Sequence, residues 1–377
     1  MTALAIETGE GTGLTIAADG SYAARLARRD AATEAWCPER WTLDGPEPYV
    51  VQLPGAQPED PGAEVLPLAD GRVLIRRFVE GRHAFSLLYP TGPGTGELQL
   101  GAVECEELTL LAPAPGGELA YGLAVGEKST AVWLVAGGAF GPEHVAEVPG
   151  RCSGGVWLDR AGRMLALDLE LDGVTKAVAV DLERGGEVSP LLQIAEDSND
   201  RLLLADPDSG LLLVRSDAPG EDRLGWGVLG SARPVRFPEC LRVEDAVMSP
   251  FAVQPGQVLM PESCGVALRI DGGGGSWVGV WRPAGRRLHQ LAAPVGWLTG
   301  AGLWTREGVL RLPYAQGDVD YGVVEVEPPV DDLSVMITEL SQAEAAGEEP
   351  SEAEEAPAVC KPVPLQQAPL TGRLGAD

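Results

Sequence analysis

Lysine is almost missing from this chain of 377 residues, which has only Lys128, Lys176 and Lys361. Histidine is equally scarce, at His83, His144 and His289. Three scattered histidines leave little material for a histidine-liganded metal or a histidine general base. The six cysteines (Cys37, Cys105, Cys152, Cys240, Cys264, Cys360) include no Cys-x-x-Cys pair. Structural zinc is therefore disfavoured, and free thiols in a reducing cytoplasm are expected. The longest apolar stretch, near residues 131–140, is short and broken by glycine, too short for a bilayer span. The start, Met1-Thr2-Ala3-Leu4-Ala5-Ile6-Glu7, lacks the basic region and sustained apolar run of a secretory signal. Positive charge is short overall: 28 Lys and Arg face 56 Asp and Glu, a net charge of −28. Most of that excess lies outside the C-terminal residues, and an acidic body repels phosphate backbones and anionic lipid surfaces. No nucleic acid and no membrane partner is expected. The bias towards arginine fits a high-GC bacterial genome.

What the chain does have is turn formers and apolar residues: 49 Gly, 31 Pro and 45% hydrophobic residues. That composition supports a large core built from short strands. One repeat unit is plain between Ser153 and Ile194. It reads SGGVWL, the turn DRAGR, MLALDLELDG, VTKAVAVDL, then ERGGEVSPLLQI. Strand, tight turn, strand, loop, strand, turn and strand make a four-stranded antiparallel meander of propeller-blade length.

The same grammar recurs. Turn glycines fall at Gly20, Gly71, Gly117, Gly162, Gly210, Gly256 and Gly308, spaced 51, 46, 45, 48, 46 and 52 residues apart. A short hairpin turn requires a positive φ that other residues resist. Sixteen residues beyond five of these glycines stand Leu87, Trp133, Val178, Trp226 and Val324. In the long first and sixth repeats a five-residue shift brings Trp41 and Trp277 to the same place. Each repeat thus carries a bulky apolar residue in its third strand, where it can pack on a neighbouring blade. Residues 1–330 are expected to be all-β, a seven-bladed β-propeller of four-stranded antiparallel blades. The seventh repeat lacks a fourth strand, which residues 2–6 or, as a rival, 333–340 would supply to close the ring. A closed ring has no obligatory need to dimerise.

The run LDRAGRMLALDLE followed by AVAVDLERGGEV resembles the repeats of WD-like bacterial propellers, including those that precede the catalytic domain of prolyl-oligopeptidase-type enzymes. The resemblance covers roughly residues 2–327. The Gly-His and Trp-Asp pairs of true WD repeats are missing, and no Gly-x-Ser-x-Gly elbow occurs. The resemblance implies architecture and leaves the subfamily open.

Residues 331–377 read as an acidic Pro/Ala/Glu-rich tail, largely disordered because it holds too little apolar surface to offset its ordering entropy. Its end, with Val363, Leu365, Leu370 and Leu374 among prolines, is also a possible extended docking segment. Asp168, Glu170 and Asp172 alternate along one strand, and a solvated strand end is the simpler reading than calcium, since Ala179 stands where a calcium loop needs Glu. Gly272–Gly275 reads as a hairpin loop, with no lysine near for a phosphate. No histidine is expected at the channel, because His83 falls in a third strand and His144 and His289 in or beside fourth strands.

The most site-like positions are the connections that leave one blade and enter the next channel strand. They hold Glu106 and Glu107, then Arg151, Cys152 and Ser153, then Asn199 and Asp200, then Glu244 and Asp245, and finally Trp297 with Thr299. Cys152 beside Arg151 reads as an inert thiol rather than a nucleophile. No catalytic residue, metal site or cofactor is called for. The leading expectation is a non-catalytic platform for an unknown protein partner. It would make contact through Trp36 and the insertions Asp30–Glu39 and Glu262–Ser276, and through Leu365, Leu370 and Leu374 of the tail. One alternative is a lyase, lactonase or hydrolase using Asp200, Glu244 and Asp245, with or without a divalent cation. The other is small-molecule binding without turnover, with Trp297 or Trp304 as a stacking surface.

Overall fold

The computed structural model describes residues 13–329, apart from 31–32, 46, 93, 256–259 and 317–319. Their regular structure is almost wholly β, with only two three-residue 3-10 turns, Glu239–Leu241 and Pro261–Ser263. Three separate four-stranded meanders open the chain. The first comprises β1 (Thr15–Ile16), β2 (Tyr22–Asp30), β3 (Thr33–Thr42) and β4 (Tyr49–Gln52). The second is β5 (Glu64–Pro67), β6 (Val73–Val79), β7 (Arg82–Pro90) and β8 (Thr95–Glu104). The third is β9 (Leu108–Leu110), β10 (Ala120–Val125), β11 (Ser129–Ala136) and β12 (Glu143–Pro149).

A fourth meander, β13 (Arg151–Trp157), β14 (Met164–Leu171), β15 (Val174–Asp181) and β16 (Glu187–Leu192), reproduces the sequence unit read above. It is joined to β17 (Asp200–Ala205), β18 (Leu211–Ser216) and β19 (Arg223–Val228) by a single parallel pairing, Lys176 with Asp200. Next come the four-stranded β20 (Ala246–Val253), β21 (Val266–Gly272), β22 (Gly275–Trp281) and β23 (His289–Leu291). The three-stranded β24 (Leu303–Trp304), β25 (Leu310–Gln316) and β26 (Asp320–Val326) ends the described chain.

The expectation of seven four-stranded blades is corrected: among the described residues five meanders have all four strands, and two groups have three. Prolines account for the first shortfall. Beyond β19, the segment with Pro234 and Pro238 places only Arg236 in register, opposite Trp226. Beyond β26 stand Pro328 and Pro329, which have no N–H to donate to a ladder. The two segments proposed to close the ring, 2–6 and 333–340, lie outside the described residues.

The inner strands read as nearly continuous apolar runs because both of their faces are packed. In β14, Leu165 to Leu169 are all buried, and one of the five is Asp168. Seven clusters of buried apolar residues separate successive strand groups. The last of them closes the circle: Leu14, Ala23, Trp41 and Leu43 of the first sheet pack with Ala301, and Leu298, Tyr321 and Val323 lie against them. The third-strand landmarks hold, with Trp41, Leu87, Trp133, Val178, Trp226, Trp277 and Val324 on β3, β7, β11, β15, β19, β22 and β26.

Six of the seven turn glycines lie in first-to-second-strand hairpins with positive φ, from 67° at Gly162 to 90° at Gly308. Gly256 lies outside the described residues. At Gly117 a Cβ would stand 2.6 Å from Ala69, whose N–H donates to the Gly117 carbonyl at 2.9 Å. These turns therefore crowd one another at one end of the ring. The supposed insertions are mostly strand: Thr33 to Glu39 belong to β3, and Val266 to Ser276 make most of the β21–β22 hairpin.

Candidate functional site

Chain direction gives the ring two distinct ends. Each first strand begins at one end, called here the entry face, and the second-to-third-strand hairpins return to it. The first-to-second and third-to-fourth hairpins lie at the other end, the turn face. The connections singled out from the sequence belong to the entry face, but they do not form one site. Glu106, Glu107, Arg151, Ser153, Glu244 and Asp245 are exposed. Arg151 pairs with Glu107 at 3.4 Å. Cys152 is buried, its N–H donates to Thr130 Oγ1, and burial pushes its thiol up to about 11, so it stays protonated at neutral pH. Trp297 is buried too, its ring tilted against Phe251 at 5.6 Å and its indole N–H donating to the Ala301 carbonyl.

Asp200 is a structural hub. It is fully buried and accepts from Lys176 Nζ at 2.8 Å, Ser216 Oγ at 2.6 Å, Ser198 Oγ at 2.9 Å and the Ile194 N–H at 2.9 Å. Asn199 beside it donates to Asp217 at 2.8 Å and accepts from the Thr175 N–H. With Asp200 so engaged, the carboxylate trio Asp200, Glu244 and Asp245 is not assembled as a metal or acid–base centre. No group of three or more metal-ligating side chains occurs among the described residues. His83, also buried, accepts at Nδ1 from Arg76 at 3.0 Å. Burial and the neighbouring guanidinium lower its pKa, so it is neutral there.

The sequence reading of Asp168 as solvated is corrected: Glu170 and Asp172 are exposed, but Asp168 is buried against the next sheet. It accepts from the Leu202 N–H at 3.2 Å and lies 3.6 Å from Arg201, which in turn reaches Ser153 and Thr175. Burial pushes its carboxyl up to about 6, against the opposing pull of that N–H and guanidinium. From about pH 4 to about pH 6 the unfolded chain releases this proton while the folded protein keeps it. Folding therefore becomes less favourable as pH rises through that window, by on the order of 3 kcal/mol in all. Asp168→Asn, which keeps an acceptor for Leu202, is expected to gain about that much relative to the parent between pH 4 and pH 7. Urea unfolding at the two pH values measures it, and parallel pH profiles would exclude the assignment.

The large cavity opens at the opposite end. It measures about 910 Å³ and is walled by the turns of several sheets, with Gly155, Val156, Trp157, Leu203, Leu303 and Trp304 along its sides. Its charged groups are largely engaged: Arg160 with Asp208 in a two-pronged pair, and Arg311 with Glu325 at 3.3 Å. Arg306 at the rim is exposed. The first strands β13, β17 and β24 line this space, and of the site residues chosen from sequence only Trp304 touches it.

Solved structures share this arrangement. The β-propeller domain of the trilobed protease from Pyrococcus furiosus, which has an open Velcro topology, matches at 10% identity and a TM-score of 0.53, over 85% of this chain and 97% of that one. The chain is a β-propeller. An acylaminoacyl peptidase matches at 9% identity and TM-score 0.51, over 87% of this chain and 54% of that one. Prolyl oligopeptidase B from Galerina marginata matches at 13% identity and TM-score 0.50, over 81% and 46%. The chain thus spans about half the length of those two peptidases, and the likeness is one of fold. No protein-family model matches the sequence, and no curated protein matches it.

Trp36 is half-buried in the propeller, against Leu26, Leu53 and Ala63, with the Arg28 guanidinium 5.5 Å over its ring. Its backbone pairs with Glu59. Leu365, Leu370 and Leu374 lie outside the described residues. No helix is long and apolar enough to cross a membrane among the residues described.

Proposed function

We propose that this propeller is a non-catalytic protein–protein interaction platform that binds through its entry face. The observation that carries the reading is a set of large apolar side chains held out at that face. Phe78 is 55% exposed, Val79 51%, Leu171 55%, Val247 57% and Val295 66%. Hairpin tips and connections are normally polar, and although Phe78 rests its ring on His83 at 4.8 Å, each of these side chains leaves at least half of its surface in water. Apolar anchors with a charged surround are what a partner desolvates on binding. The free thiols Cys105, Cys152 and Cys264 favour a reducing compartment, and we place the protein in the cytoplasm on that ground.

The test is affinity capture from lysate of the source organism, using the full chain and a Leu171→Asp/Val247→Asp/Val295→Asp variant. Phe140→Asp, altering a 97% exposed residue on the turn face, serves as the control. A near-stoichiometric protein retained by the parent and the control but lost by the triple variant is the expected outcome. Equal retention by all three, or no partner at all, overturns the reading. A second reading, small-molecule binding without turnover, is favoured by the turn-face cavity, whose volume matches the roughly 300–1,000 Å³ of ligand pockets.

A further inference from the structure

The entry face carries one cleft whose chemistry specifies a partner. It lies between β17–β19 and β20–β23 and measures about 280 Å³. Leu224, Leu241 and Met248 are buried side chains of its floor, and Val247 stands exposed at its lip. That volume is small for a whole organic ligand but suits one or two side chains of a protein. Three arginines line it, and each is already held. Arg215 pairs with Asp222 at 3.3 Å and donates to the Met248 carbonyl. Arg223 pairs with Glu239 at 3.0 Å, and Arg242 with Glu221 at 2.8 Å.

Glu244, on the same wall, is exposed and has, among the described residues, neither an ion pair nor a side-chain hydrogen bond, and the same is true of Asp245 beside it. An approaching group thus meets an apolar floor, neutralised guanidiniums and uncompensated carboxylates, on a chain whose net charge is −28. An anionic or purely polar segment gains nothing there.

Resting on the platform reading above, we propose that this cleft seats an aliphatic side chain of a protein partner, with an adjacent lysine or arginine pairing with Glu244. The aliphatic group supplies most of the affinity by leaving water, and the cation supplies orientation and a faster encounter. Because Glu244 is exposed, its pair weakens as salt rises, whereas the apolar contact does not.

Two fluorescein-labelled hexapeptides serve as probes against the full chain, one alternating leucine with lysine and the other leucine with glutamate, read by fluorescence anisotropy. The leucine–lysine probe is expected to bind and the leucine–glutamate probe to show no saturable binding. Val247→Asp should weaken binding at least tenfold. Glu244→Gln should weaken it about fivefold and flatten its salt dependence. Glu118→Gln, on the turn face, should leave it within twofold. Equal binding of both probes, or binding unchanged in Val247→Asp and Glu244→Gln, overturns the cleft. Loss with Leu171→Asp but not with Val247→Asp discards the cleft and keeps the platform, whereas indifference to every entry-face variant discards both. Unfolding midpoints matching the parent confirm that the variants, all at exposed positions, are folded.

Discussion

Replacing Asp200 with alanine should lower the unfolding free energy by about 3–5 kcal/mol, because it strands the ammonium of Lys176 in a largely dry position. Four donors converge on this one carboxylate, from β15, β18, the β16–β17 connection and Ser198 just before β17. Removing it takes the acceptor from Ser216 Oγ and the Ile194 N–H, while Ser198 Oγ and Lys176 keep the Ala195 carbonyl, and a buried unsatisfied donor costs about 1–3 kcal/mol by itself. Among the described residues the pair also sits at the only parallel pairing between two strand groups, Lys176 with Asp200. The loss should therefore be cooperative. The double variant Lys176→Met/Asp200→Leu, which removes both charges, is expected to be less damaged than the two single losses summed, because neighbours in one network do not add. Urea denaturation of the parent, both single variants and the double variant completes the cycle. A loss below about 1 kcal/mol for Asp200→Ala would mean that water enters the site and replaces the carboxylate.

Trp41→Ala should cost a similar amount, about 3–5 kcal/mol, for a different reason. Trp41 is fully buried where the first sheet meets the last, edge-on to Tyr321 at 5.7 Å and with the Arg25 guanidinium 5.4 Å from its ring. At this seam the described chain is joined by side-chain packing and by the Arg311 guanidinium donating to the Leu43 carbonyl at 3.2 Å, with no strand ladder between the two sheets. A cavity in the seam thus removes a large share of what closes the ring. Trp41→Phe, which keeps an aromatic in the gap, should recover part of the loss. Denaturant midpoints decide the matter, and a Trp41→Ala midpoint equal to that of the parent would show that the ring is closed by other contacts.

Much of the architecture was legible because it repeats. A glycine with positive φ is forced at each hairpin turn, and a bulky residue is forced in each third strand, so Gly71 with Leu87 or Gly162 with Val178 mark equivalent places. The strand count was less legible. A fourth strand needs backbone donors rather than apolar residues, and Pro234 and Pro238 remove them where the fifth repeat predicts a strand. The entry-face candidates were found as positions on connections, but their fates depended on partners far along the chain. Asp200 is buried by Lys176 and Ser216, while Glu244, with no such partner among the described residues, stays open. Asp168 was misread because alternation was applied to a strand packed on both faces. An acid inside the run MLALDLEL was the available signal, since an apolar run that admits one carboxylate has usually found it a partner. The turn-face cavity had no signature of its own, being walled by the same kind of hairpin turns that every repeat contributes.

The seam between the first and last sheets has a consequence for how the chain is made. Trp41 and its partner Tyr321 lie at opposite ends of the described sequence, so a ribosome that has finished the first sheet has not begun the last. At roughly 5–20 residues per second, on the order of 15–55 s pass between the two. For all that time the emerging protein displays an indole and the apolar face around it to the surrounding solution. Its hazard of misassociation is therefore greatest during synthesis, and it ends when the final strands arrive to cover the first.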